Sequence, residues 1–135
     1  MLQKFSFLDL HAALKTHIET NTTYDCYDEV PQNKATPFYY VECIGSTPTD
    51  TKTMFVENYK VWIHAIAEAG NSSKDIYDMI QILEEAMTED ITIDGFTLVL
   101  QKSNGTLVIK TDETKEKHAV VGYEFKICYG YKTKV

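Results

Sequence analysis

Four histidines, His11, His17, His64 and His118, and three cysteines, Cys26, Cys43 and Cys128, are the residues of this 135-residue chain best suited to chemistry. An imidazole can take or release a proton near neutral pH, so each histidine is a candidate acid, base or metal ligand. His64 stands out because it follows Trp62 in the apolar run Val61-Trp62-Ile63-His64, while Asp25, Asp28 and Glu29 lie in another strand-like segment. If those strands were neighbours, the carboxylates would orient His64 as a general base. The acidic run Asp25-Cys26-Tyr27-Asp28-Glu29 lacks the spacing and turn glycine of a calcium loop, and a solvated strand edge that resists unwanted pairing is the better account. The cysteines are odd in number, form no Cys-x-x-Cys pair and all fall in strand-like segments, so they read as buried thiols. There is no His-x-x-x-His pair, phosphate-binding glycine loop, nucleophile elbow or dinucleotide glycine cluster, and no catalytic residue, cofactor or metal is expected.

The elements that would position these groups fit one domain. At 44% hydrophobic and 24% charged residues the chain has the composition of an ordinary globular protein, and no segment approaches the roughly 18 apolar residues of a membrane span. The first residues lack a signal peptide's apolar stretch, which predicts synthesis and retention in a cytoplasm. A formal net charge of -7 argues against gripping nucleic acid through its phosphates, but suits a surface that DNA passes without sticking.

Phe7, Leu10, Leu14 and Ile18 at helical spacing predict a helix over about 6–20, capped by Ser6, with Asp9 reaching back and Phe5 stapled on Leu10. A short strand from Tyr24 to Val30 ends at Pro31, and Pro37 opens an inner strand, Phe38 to Ile44. Gly45 to Asn58 has no clear period and reads first as an exposed loop or hairpin extension. Met54, Phe55 and Val56 at its far end either meet a partner or begin the next strand. Tyr59 to Ile66 is a central strand. Ser72-Ser73-Lys74-Asp75 opens a second helix with Ile76, Met79, Ile80, Leu83 and Met87 as its buried stripe. The remainder reads as a three-stranded meander: Phe96 to Lys102, Thr106 to Thr111 across an Asn104-Gly105 hairpin, and an overlong last strand from Ala119 to Tyr131. The expectation is an α+β domain, two helices on a mainly antiparallel sheet, in the order α-β-β-β-α-β-β-β.

This order, with Tyr27-Asp28-Glu29-Val30-Pro31, Pro37-Phe38-Tyr39-Tyr40-Val41, the Trp62 strand and a last third beginning near Gly95-Phe96, resembles the tail-completion or tail-terminator proteins of long-tailed phages with flexible tails. That family often has a small hydroxyl residue after the tryptophan, where this chain has Ile63. The resemblance implies a noncatalytic virion part that ends the tail tube at the head-tail junction. Its implied partners are the tail tube protein, the head-completion (stopper) protein and further copies of itself in a hexameric ring that DNA traverses without sequence-specific binding. Assembly would take place in a bacterial host cytoplasm, with no membrane involved. The expected interface residues are Thr47, Asp50, Lys52, Met54, Phe55 and Val56 around the loop at about 45–56, and Tyr123, Tyr129 and Tyr131 on the last strand. Two other readings remain: a small cytosolic enzyme using His64, and a host-directed binding module using the same loop.

Overall fold

A computed structural model describes residues 1–29, 35–70, 72–113 and 115–132. The elements run α1 (Phe7–Asn21), β1 (Cys26–Tyr27), β2 (Phe38–Pro48), β3 (Met54–Ala67), α2 (Lys74–Ala86), β4 (Thr97–Thr111) and β5 (Lys117–Tyr131). The strands form one sheet in the order β1-β2-β3-β5-β4, antiparallel throughout except for the β1–β2 pair.

Both helices lie on the same sheet face because each carries one apolar stripe. In α1 the buried side chains are Leu10, Leu14, His17 and Ile18, and in α2 they are Ile76, Met79, Leu83 and Ala86. They meet the alternate residues Val61, Ile63 and Ala65 of β3 and Val121, Tyr123, Phe125 and Ile127 of β5. Ser6 caps α1 through an acceptor bond from the Asp9 amide at 3.0 Å, and Phe5 lies in the same core as Leu10. Ser73 precedes α2 without a side-chain cap bond; Ser72 instead accepts from the Lys74 amide at 3.1 Å. Polar ties cross the layers. The Tyr39 hydroxyl donates to the Met79 carbonyl at 2.7 Å, and a ring nitrogen of His17 lies 2.8 Å from the Ala86 carbonyl, joining α1 to the end of α2.

Several sequence expectations change. Only two strands follow α2, because Asn104-Gly105 makes a bulge inside one long strand. Both flanks pair with β5, Ser103 opposite Tyr123 and Gly105 opposite Gly122, and Gly105 takes a φ of +82° that its missing Cβ permits. The side chains of Asn104 and Leu107 then fold over Gly122, where an added Cβ would come within 3.3 and 3.2 Å of them. The last strand has no overhang past β3, and past β4 it extends by Tyr129 to Tyr131. β3 pairs with it from Met54–Tyr131 to Ala67–Lys117, and β4 pairs along its other side, since all three strands are of similar length. The first strand shrinks to Cys26 and Tyr27; its expected end at Val30-Pro31 lies outside the described residues.

The span expected as a loop at about 45–56 is mostly a hairpin extension. Gly45 to Pro48 pairs with Lys60 back to Glu57, Met54 to Val56 opens β3, and residues 49–53 form the turn. Cys26 and Cys128 are buried and Cys43 is partly so, and burial pushes the Cys26 thiol up to about 12 and that of Cys43 up to about 11. Inert packing thiols are the result.

Candidate functional site

Two places on the sheet carry the residues singled out from sequence. The first is the face turned away from the helices. Alternation places Tyr40 and Glu42 of β2, Trp62 and His64 of β3, and His118 of β5 on this face. His64 does not meet Asp25, Asp28 or Glu29, because β1 pairs with the far side of β2, which lies between it and β3. Its carboxylate partner is Glu42, 2.8 Å from Nε2, while Nδ1 lies 2.8 Å from Nε2 of His118. Tyr40 stacks on the His64 ring at 4.1 Å between centroids, and Trp62 meets its edge at 6.4 Å.

With Nε2–H of His64 directed at Glu42, Nδ1 is left to accept from Nε2–H of His118, which fixes two neutral tautomers. Burial lowers the proton affinity of His64 against the opposing pull of Glu42. Burial also pushes the His118 imidazole down to about 4, helped by His64 and Lys110. His64 is only 6% exposed, and both of its nitrogens are engaged within the sheet face. Such a relay can pass a proton among its members, but its geometry is that of a rigid polar inlay. Among the described residues, no group of three or more His, Cys, Asp or Glu side chains is placed to hold a metal ion.

The second place is the sheet end where the β2–β3 turn meets the end of β5. Met54 pairs with Tyr131 and Phe55 with Gly130, and the Phe55 ring lies 5.7 Å from that of Tyr129. Asp50 accepts from the Val56 amide at 2.9 Å, and its carboxylate lies 3.9 Å from the Lys132 ammonium, which also sits 5.3 Å above the Phe55 ring. Thr47, Lys52 and Tyr131 are exposed around this centre, with Tyr131 at 66%. Thus the two expected interface segments, far apart in sequence, converge on one end of the sheet.

Val56 and Tyr123 are exceptions to the exposed pattern. Val56 is 2% exposed and anchors the hairpin. Tyr123 is likewise 2% exposed, lies on the helix side and donates its hydroxyl to the Glu84 carboxylate, so its side chain belongs to the packing of α2 on the sheet. Burial, reinforced by Glu84, strongly raises its proton affinity.

Glu42 and the N-terminal arm were not foreseen as parts of these places. The parity of β2 and β3 was the available signal for Glu42, once those strands are paired. Leu2 packs on Gly130, Lys4 lies 5.4 Å over the Tyr129 ring and 3.6 Å from the buried Glu57, and the Phe5 carbonyl accepts from the Tyr59 hydroxyl. Nothing in residues 1–5 alone announces this docking.

The chain is an α+β unit whose expected interface residues, Val56 and Tyr123 apart, gather at one sheet end, while His17 lines a separate groove of about 770 Å³ beside α1. The same fold occurs in a chain of a solved structure titled "Virion of native gene transfer agent (GTA) particle", with a TM-score of 0.58, 16% sequence identity, and coverage of 91% of this chain and 99% of that one. No curated protein matches the chain. The family model described as "Putative tail termination protein" matches residues 1–135, and the chain belongs to that family of phage tail terminators. It is a structural protein of a phage virion tail.

Proposed function

We propose that the protein ends the tail tube at its head-proximal face and joins it to the head-completion complex, as a six-membered ring around the channel that DNA crosses. The family match over residues 1–135 carries this reading. The convergence of Thr47, Asp50, Lys52, Met54 and Phe55 with Tyr129 and Tyr131 supports it by providing a compact contact patch for the tube or the stopper protein. The net charge of -7 supports a channel through which a polyanion moves without being held. The protein acts in the virion at the head-tail junction, after assembly in the host cytoplasm, and turns over no substrate.

Purified protein, with its fold verified by circular dichroism, is added to tail tubes and to tailless capsids that lack it. The reading expects attachment to one of them and recovery of joined particles; folded protein that attaches to neither overturns it.

A further inference from the structure

The two sides of the sheet end in open backbone. Among the described residues, β1 covers β2 only at Tyr39 and Tyr40, so β2 has no outer partner from Val41 to Pro48. The Tyr39 amide donates outward to the Asp25 carbonyl at 2.9 Å, and the strand period directs the Val41 and Cys43 backbone groups to the same outer side. On the opposite side, among the described residues, β4 pairs with β5 alone along Thr97–Thr111. That edge carries large exposed apolar side chains, Val99 45%, Leu100 41%, Leu107 45%, Val108 45% and Ile109 48%. A long, apolar, uncovered edge strand is a template for pairing with another chain.

We propose that the β4 edge of one copy pairs with the β2 edge of the next, continuing the sheet from subunit to subunit around the ring. This rests on the terminator reading and names the contact between its copies.

Direction, charge and shape all favour this occupant. β2 and β4 run in opposite senses within the sheet, so two copies set side by side in the same orientation bring them together antiparallel. β4 contains Lys102 and Lys110 and no acidic residue, whereas β2 contains Glu42 and no basic residue, with Asp25, Asp28 and Glu29 beside it near β1. Pairing with Glu124 and His118 places Lys102 and Lys110 on the sheet face that also bears Glu42. Like edges therefore repel and unlike edges attract. On the helix side, a groove of about 260 Å³ opens at the β2 edge, lined by Leu8, Ala12, Tyr27 and Val41 together with the charged Lys15 and Asp28. Ile109, whose partner Ala119 belongs to the helix-side core, is the apolar β4 side chain placed to meet it. The contact is heterologous, one surface meeting a different one, which is the form a closed ring needs.

Hydrogen exchange of the full chain, free and attached to tail tubes, tests the pairing. Amides within 41–48 and 97–111 are expected to exchange roughly tenfold or more slowly once attached, as newly paired backbone does. Lys102→Glu with Lys110→Glu is expected to lower attachment at least about tenfold, and adding Glu42→Lys to recover part of it. Melting curves establish that each variant folds. Attachment without slowed exchange at these edges overturns the pairing and leaves the terminator reading standing. Failure of the folded protein to attach overturns both.

Discussion

His64 and His118 share a 2.8 Å contact in which both rings are neutral, and the cost of charging them sets a pH dependence. Burial first, then His64 and Lys110, hold His118 down to about 4 from its ordinary 6.5, with Asp112 pulling the other way. The unfolded chain therefore takes this proton more readily. Stability supplied by the neutral pair is complete above about 6.5 and is lost as the pH falls from there to about 4, by on the order of 2 kcal/mol. Urea unfolding midpoints between pH 7.5 and pH 4.5 should show this decline, and His118→Gln should flatten it. Tyr123→Phe is a second expectation at this scale. It removes the donor to Glu84 while preserving the ring, with Ser103 Oγ still donating to Glu84 at 3.3 Å. Chemical denaturation should report a loss of about 1–2 kcal/mol with no change in secondary structure.

The elements divide by whether their cause is local. α1 and α2 were legible because a stripe such as Leu10, Leu14 and Ile18 and a cap such as Ser6 are written within a few turns of chain. The central place of the Trp62 strand was legible from its near-continuous apolar residues. Asn104-Gly105 was not, since a turn and a bulge ask for the same positive φ at glycine, and only the partner strand decides between them. Strand order also lies beyond local signals, which is why the sequence offers His64 the acids Asp25, Asp28 and Glu29 around β1 and not Glu42. Gly105→Ala tests the bulge. It should cost ~1–2 kcal/mol by thermal denaturation because φ of +82° strains an L side chain, even though open space surrounds its Cβ. At the candidate site, the meeting of the β2–β3 hairpin with Tyr129 and Tyr131 needed the β3–β5 register, and Tyr123 faces the opposite side of the strand from the one a free surface requires.

For the whole molecule, the sheet-end patch and the core should separate in experiment. Lys52→Glu combined with Tyr131→Ser alters exposed side chains, so stability should stay within about 0.5 kcal/mol while attachment to tail tubes falls at least about tenfold. Unchanged attachment would place the contact elsewhere on the molecule. The position of β5 has a separate effect on how the molecule comes to exist. This strand lies between β3 and β4 although it follows both along the chain, and it supplies Val121, Phe125 and Ile127 to the core. During synthesis, β3 and β4 therefore leave the ribosome with no hydrogen-bonding partner for the sides they will later press against it. Folding must wait for a pairing as distant in sequence as Met54 with Tyr131, which favours slow closure and leaves these strand sides open in the nascent chain until β5 arrives.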